Sequence, residues 1–181
     1  MTFDASKPSI ARVYDVMLGG KDNFAADREV AAMLVAAYPL FANWAKDNRV
    51  FLGRAVSYAA SRGVGQFIDV GSGLPTSPNT DEIARREVPG ARVVYVDNDP
   101  MVISLIRALL TSDDGIAAVE GDLRDPEAIL ATPEQIRGFF GDLDLISPGL
   151  VDAGRWRPGW APPQQPRRKA MMLAGVAHKR T

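Results

Sequence analysis

The fold of this chain is decided by the stretch Gln66-Phe67-Ile68-Asp69-Val70-Gly71-Ser72-Gly73-Leu74-Pro75-Thr76-Ser77-Pro78-Asn79. Its apolar start predicts a buried strand, and the two glycines that follow can take positive φ and let a ligand approach the backbone closely. We expect Ser77 to be the N-cap of the next helix and Pro78 its first residue. In a doubly wound sheet such a loop lies outside the carboxyl ends of the strands, where nucleotide-like ligands bind. The stretch therefore predicts a ligand site at a strand end.

This glycine loop (residues 71–79) matches only half of the dinucleotide-binding pattern G-x-G-x-x-G. The pattern needs a glycine three residues after Gly73, where this chain has Thr76 behind the stiff pair Leu74-Pro75. A pyrophosphate cradle, and with it an NAD-dependent Rossmann enzyme, is therefore disfavoured. The loop is better suited to an uncharged or cationic nucleoside.

A second polar strand end follows in the sequence Asp97-Asn98-Asp99-Pro100, after a predicted strand over residues 91–96. We expect Asp99 to cap the next helix, with Pro100 as its first residue. Asp97 is then left over at the strand tip beside the glycine loop, where its carboxylate can accept two hydrogen bonds from ribose hydroxyls. The alternative is that Asp97 only solvates the end of the strand.

Strand and helix patterns alternate through the middle of the chain. A predicted helix near residues 79–87, one after Asp99 and a strand over residues 116–120 favour a parallel α/β sheet with right-handed crossovers. Before the sheet, apolar residues at helical spacing predict two amphipathic helices. Their predicted inner faces are Val30, Met33, Leu34 and Ala37 in the first, and Phe51, Ala55, Tyr58 and Ala59 in the second. We expect Trp44, Phe51 and Tyr58 to lie in the core rather than stack on a ligand.

An earlier helix should begin near Ile10 and end at Gly19-Gly20. The residues after it form what we call the early loop (residues 19–24). Such a loop can fold over a cofactor, or it can be a plain glycine C-cap followed by polar residues. The residues alone favour the plain cap.

Composition excludes several classes of protein. The 181 residues are 46% hydrophobic and 24% charged, which is typical of one soluble domain. The chain has no cysteine and one histidine, His178, so we expect no disulfide, no thiolate or histidine-rich metal site and no cysteine nucleophile. No apolar run approaches the roughly 20 residues of a membrane span, so we expect a cytoplasmic protein that does not contact membranes.

The charge is unevenly distributed along the chain. Residues 1–149 carry 14 basic and 21 acidic side chains, whereas residues 150–181 carry 7 basic and 1 acidic side chain. A basic tail can attract nucleic acid. Because no aromatic stacking platform accompanies it, we expect a solvated terminal segment and no nucleic-acid partner.

Four stretches together resemble one bacterial family of S-adenosylmethionine-dependent methyltransferases. They are residues 14–24, 69–79, 94–100 and 121–126, and the resemblance is close through about Leu130. It implies the Rossmann-like sheet of class I methyltransferases and S-adenosylmethionine as the cofactor. The natural substrates of this family are poorly defined.

The resemblance also implies positions for the parts of the cofactor. The methionine part would lie near Asp69, Gly71 and Gly73, and the ribose on Asp97. The adenine would lie near Asn98, Asp122 and Leu123. The early loop would cover the cofactor, and the residues that this implies are Tyr14, Gly19, Gly20, Lys21 and Asn23.

The chain departs from this family after about residue 131. A class I sheet needs a fourth and a fifth parallel strand, but residues 132–181 resemble only the last helix and the closing antiparallel strand pair. We therefore expect an internal loss and a sheet of about five strands, three parallel plus the pair Leu143–Val151 and Met171–Ala177 docked beside the first strand. A capping box at residues 132–135 predicts the helix before that pair.

The expected organisation is one domain over residues 1–181. It comprises an N-terminal helical cap (1–62), a cofactor-binding half (63–131) and a C-terminal helix and strand pair (132–181). The expected function is methyl transfer to a small-molecule or unidentified acceptor, with no catalytic residue assignable. The alternative is an inactive cofactor-binding remnant or interaction module, and a homodimer remains open.

Overall fold

The computed structural model describes residues 4–111, 115–122, 124, 143–145, 151–152, 173–174 and 177–179. The helices are α1 (Ile10–Leu18), α2 (Ala25–Ala37), α3 (Phe41–Ser61), α4 (Thr80–Glu87) and α5 (Pro100–Leu109). The strands are β1 (Gln66–Val70), β2 (Arg92–Asp97), β3 (Ile116–Glu120), β4 (Leu143–Leu145), β5 (Val151–Asp152), β6 (Leu173–Ala174) and β7 (Ala177–Lys179).

The central sheet is parallel and has the order β1-β2-β3. Residue Val70 of β1 lies beside Val96 of β2, and Asp97 lies beside Glu120 at the end of β3. Helix α4 connects β1 to β2 and α5 connects β2 to β3, which confirms the predicted alternation. Because all three strands run in the same direction, the segments after them lie at one edge of the sheet.

Helix α5 packs its apolar side chains against the sheet, where every second residue of β2 faces the helix. Val93 and Tyr95 of β2 are 1% and 3% exposed, and Val102 and Ile106 of α5 close the cluster above them. Leu74 of the glycine loop belongs to the same cluster. The loop is therefore anchored to the core through Leu74.

The three N-terminal helices have their own apolar cluster, centred on Val13, Met17, Ala31 and Ala45. Helix α1 ends at Gly19, whose φ is 81°, as the sequence predicts. The predicted inner face of α2 is wrong in part, because Met33 is 63% exposed. The buried positions of α2 are instead Asp27 and Ala31, one turn apart.

The aromatic side chains of α3 are only partly buried. Trp44, Phe51 and Tyr58 are all intermediate in exposure, and Trp44 makes an edge contact with Phe41. Of the residues predicted for the inner face of α3, none is fully buried. The buried positions include Val56 and Ala60, which are shifted from the predicted stripe.

The C-terminal strands pair in the predicted antiparallel sense, with Leu143 beside Lys179 and Val151 beside Ala174. The register shifts between the two pairings, and they form two separate two-stranded sheets. The predicted docking of these strands onto β1 in one five-stranded sheet is therefore wrong for the described residues. The helix predicted after residue 132 lies outside them. No helix in the described part of the chain is both long and apolar enough to cross a membrane.

Candidate nucleoside-binding site

The glycine loop has the backbone conformation that its two glycines predict. Gly71 has φ 70° and Gly73 has φ 67°, values that favour glycine. The Gly71 amide donates to the Val96 carbonyl over 2.8 Å, so the loop is anchored to β2. A Cβ built on either glycine would meet no atom within 4 Å. The loop therefore leaves open space next to its backbone, as a ligand cradle requires.

Asp97 lies at the end of β2 and binds the glycine loop directly. Its Oδ2 accepts a hydrogen bond of 2.9 Å from the Gly73 amide, and its Oδ1 accepts one of 2.9 Å from the Asp99 amide. Asp97 therefore lies at the strand tip beside the glycine loop and is not needed for the helix cap, as predicted, but two of its acceptor positions are already used by backbone amides. A carboxylate has about four acceptor positions, so two bonds leave about two for ribose hydroxyls.

The predicted cap of α5 is confirmed. The Asp99 side chain accepts a hydrogen bond of 2.9 Å from the Met101 amide, and Pro100 is the first residue of the helix. The second oxygen of Asp99 accepts a 2.6 Å bond from the Ser9 hydroxyl, which no sequence pattern indicated.

The predicted start of α4 is wrong by two residues. The helix begins at Thr80 with Asn79 as its N-cap, because the Asn79 carbonyl is the first that accepts an intrahelical bond, from Ile83. The Asn79 side chain accepts from the Thr76 amide over 2.8 Å instead of capping the helix. Ser77 and Pro78 are thereby part of the glycine loop.

Asp69 lies at the end of β1, partly buried under the glycine loop. Its Oδ2 accepts a 2.6 Å bond from the Thr80 hydroxyl at the start of α4. Burial raises the pKa of Asp69, the Thr80 bond and the Arg49 charge lower it, and Asp97 raises it, with a net rise above 3.8. The charge of Asp97 thus acts on Asp69.

Two polar groups at the glycine loop were missed by the sequence analysis. Arg49 of α3 donates from Nη2 to the carbonyls of Thr76 and Pro78, over 2.6 Å and 2.8 Å. The Ser72 hydroxyl is buried and has no hydrogen-bond partner among the described residues. Nothing in the spacing of α3 distinguishes Arg49 from a solvated arginine, since its partners lie 27 and 29 residues away.

The early loop is organised by a carboxylate that the sequence analysis also missed. Asp15 of α1 is 5% exposed, and its Oδ2 accepts from the Asp22 amide over 3.0 Å and from Asn23 Nδ2 over 2.9 Å. A Cβ on Gly20 would lie 1.8 Å from Asp15 Oδ1. Glycine is therefore required at position 20 by packing.

The end of the early loop is fixed by Asp27, which is fully buried. Its carboxylate accepts bonds of 2.8 to 2.9 Å from Arg12 Nε and from the amides of Ser9 and Phe24. Burial raises the pKa of Asp27, but these bonds outweigh it and hold the pKa below 3.8. Since Ser9 also binds Asp99, hydrogen bonds connect the early loop to the end of β2.

The remaining residues predicted for the site have different surroundings. The Tyr14 hydroxyl is used within the helices, where it donates to Ala45 and accepts from Asn48. Lys21 is exposed. Asn98 is exposed beside Asp122 and helps to lower its pKa, although Arg124 is the larger cause. Leu123 lies outside the described residues.

The structure therefore brings Asp69, Gly71, Gly73 and Asp97 together around one open loop, with Asn98 next in the chain. This arrangement is suited to a nucleoside ligand, because it offers open space beside Gly71 and Gly73 and a carboxylate with unused acceptor positions.

Comparison with known proteins gives one family. The model of a family described as S-adenosyl methyltransferase matches residues 1–138 and residues 131–180. The two matched segments overlap at residues 131–138, where the sequence predicts an internal loss.

Two solved structures are similar to this fold. One is a protein from Thermobifida fusca with a provisional assignment as a methyltransferase; it is 32% identical with a TM-score of 0.83, over 98% of this chain and 97% of that one. The other is a DUF574-family protein from Streptomyces avermitilis; it is 28% identical with a TM-score of 0.76, over 85% of this chain and 90% of that one.

Two curated relatives are ribosomal RNA small subunit methyltransferases H. The one from Bordetella petrii is 37% identical over 98 residues, which are 53% of this chain and 26% of the relative. The one from Sorangium cellulosum is 34% identical over 108 residues, 58% of this chain and 33% of the relative. The chain spans a quarter to a third of the length of these two proteins. Together the matches confirm the predicted family, its Rossmann-like fold and its cofactor class.

Proposed function

Because the chain belongs to the S-adenosyl methyltransferase family, we propose that it binds S-adenosylmethionine at the glycine loop and catalyses methyl transfer. One observation carries this proposal: the carboxylate of Asp97 accepts a hydrogen bond from the Gly73 amide. The contact joins the open cradle and the ribose acceptor into one site. A strand end that was merely solvated would not need a buried carboxylate at this point.

Each residue of the site has a proposed role. Asp69, Gly71 and Gly73 hold the methionine part, and Asp97 binds the ribose. The adenine side is formed by Asn98, Asp122 and Leu123. The early loop, with Gly19, Gly20, Lys21 and Asn23, covers the cofactor together with Tyr14 of α1.

When bound, S-adenosylmethionine supplies an electrophilic methyl group. The contribution of the chain is to hold donor and acceptor in line, with the reacting atoms about 3 to 3.5 Å apart. Such chemistry requires no metal, and a base that takes up the acceptor's proton is optional. No described residue is assigned as that base.

The candidate methyl acceptors are a small molecule and ribosomal RNA. Our sequence-based expectation is a small-molecule or unidentified acceptor. The two curated relatives methylate ribosomal RNA by name, and their similarity to this chain covers just over half of it. Ribosomal RNA is therefore one of the acceptors to assay.

A remnant that binds the cofactor without turnover is the second candidate. It is favoured by the free edge of β1, which pairs with no strand other than β2 among the described residues. In a complete class I sheet that edge pairs with the fourth strand. An open edge invites association with another chain, so a homodimer belongs to this candidate. A cytoplasmic location remains a prediction for both.

Calorimetric titration with S-adenosylmethionine, S-adenosylhomocysteine and NAD tests the proposal. We expect saturable binding of the first two and none of NAD. The matched control is Gly73→Val, whose side chain would fill the open space beside the loop and abolish binding. Absence of binding by folded wild-type protein would overturn the proposal. Release of S-adenosylhomocysteine with candidate acceptors separates an enzyme from a remnant.

A further inference from the structure

Arg49 contacts the glycine loop and keeps much of its hydrogen-bonding capacity unused. Both carbonyl contacts, to Thr76 and Pro78, are made by Nη2. A guanidinium has five N–H groups, of which Nη2 carries two. The three on Nη1 and Nε have no hydrogen-bond partner among the described residues.

The position of Arg49 gives the site charges of both signs. Its positive charge lowers the pKa of Asp69, whereas Asp97 raises that pKa, so all three side chains act on the same small region. The glycine loop thus has a cation on its α3 side and carboxylates at the ends of β1 and β2. A ligand that carries a positive and a negative group together matches this arrangement. The amino-acid part of S-adenosylmethionine is such a zwitterion.

We propose that Arg49 binds the α-carboxylate of this amino-acid part; the assignment rests on the function proposed above. Arginine presents a planar fork that matches the two oxygens of a carboxylate. Two carbonyl bonds already hold the guanidinium at the loop, so little side-chain entropy is lost when a ligand binds. Lys21, the other predicted cation of the site, is exposed.

The test compares S-adenosylhomocysteine with its decarboxylated analogue, which keeps the nucleoside and the amine. Calorimetry should show that Arg49→Gln binds S-adenosylhomocysteine at least about tenfold more weakly than wild type, since a hydrogen-bonded charge pair is lost. Affinity for the decarboxylated analogue should not fall. Lys46→Gln, an exposed charge on the same helix, is the matched control and should bind both ligands like wild type. Arg49→Lys keeps the charge and serves if the glutamine variant does not fold.

Three outcomes overturn the assignment. Equal losses of affinity for both ligands in Arg49→Gln would show that Arg49 only supports the loop. Unchanged affinities would show that Arg49 neither supports the loop nor binds the carboxylate. If Lys21→Gln lost affinity for S-adenosylhomocysteine alone and Arg49→Gln lost none, Lys21 would be the residue that binds the carboxylate. If wild-type protein binds neither ligand, the proposed function itself fails, and this result is distinct because it appears before any variant is compared.

Discussion

The glycine loop and the early loop both contain paired or spaced glycines, but the structure uses the pair Gly71 and Gly73 and the single Gly20 in opposite ways. In the glycine loop, positive φ at Gly71 and Gly73 leaves open space where side chains would be. In the early loop, Gly20 has no positive φ, and the space beside it is filled by the carboxylate of Asp15. One loop is open to a ligand and the other is closed by its own chain. A glycine pattern alone therefore does not distinguish a cradle from a packed turn.

The largest expected effect is at Asp27, which fixes the closed loop. Asp27→Ala leaves Arg12 buried without its carboxylate and should lower the free energy of unfolding by about 3 to 5 kcal/mol. Denaturant unfolding measures it, with the exposed Glu29→Ala on the same helix as the control. A loss below about 1 kcal/mol would contradict the account of the early loop.

Asp27 also predicts a pH dependence. Its pKa in the folded protein lies below 3.8, so the unfolded chain binds the proton more readily. The stabilisation is fully present above the ordinary pKa and is lost as the pH falls through the folded pKa. Unfolding at a series of pH values should therefore show a steeper acid loss in wild type than in Asp27→Asn. Parallel curves would contradict the assignment.

The second largest effect is expected at Asp97, which binds the open glycine loop. Asp97→Ala should weaken S-adenosylhomocysteine binding by about 1.5 to 3 kcal/mol, the scale of hydrogen bonds to a charged group. It should also cost about 1 to 3 kcal/mol of stability, because the partly buried amides of Gly73 and Asp99 lose their acceptor. Calorimetry and denaturant unfolding measure the two separately. Native-like affinity in a folded variant would remove Asp97 from the ribose site.

Alanine at the two kinds of glycine sharpens the comparison. Gly20→Ala should lower stability by about 1 to 3 kcal/mol through overpacking against Asp15. Gly71→Ala meets no atom, so its cost should be about 1 to 2 kcal/mol from positive φ alone. Ligand affinity should fall further in Gly71→Ala than in Gly20→Ala. The reverse order of affinities would show that the open loop is not the cradle.

The smallest effect is expected at Ser72. Its hydroxyl is buried without a hydrogen-bond partner among the described residues, so Ser72→Ala removes no protein contact made by that group. Stability should stay within about 0.5 kcal/mol of wild type, as thermal unfolding can measure. A loss above about 1 kcal/mol would mean that the hydroxyl has a partner beyond the described residues.

The sequence predicted those features whose causes are local. The Asp99 cap acts over two residues, Gly19 ends the helix that it follows, and β3 spans the predicted residues 116–120. Asp97 was placed at the correct strand end, but its bond to Gly73 joins positions 24 residues apart and left no trace in the sequence.

The remaining features depend on contacts between distant segments. Asp27 lies on the buried face of α2, but counting apolar residues selected the stripe that contains the exposed Met33. Arg49 looks like any surface arginine until α3 is packed beside the glycine loop. A local sign was the place of Asp27 three residues after Phe24, from where an acidic side chain at the start of a helix can accept a bond from the N-cap amide.

The central claim is that the open glycine loop receives the nucleoside. Amide nitrogen–proton spectra recorded during titration with S-adenosylhomocysteine test it most directly. The account predicts saturable shifts that are largest for the amides of Gly71, Ser72, Gly73 and Asn98, and small for Ala31 and Ala32 in α2. Saturable binding that leaves the glycine-loop amides unchanged, or no binding by the folded protein, would contradict it.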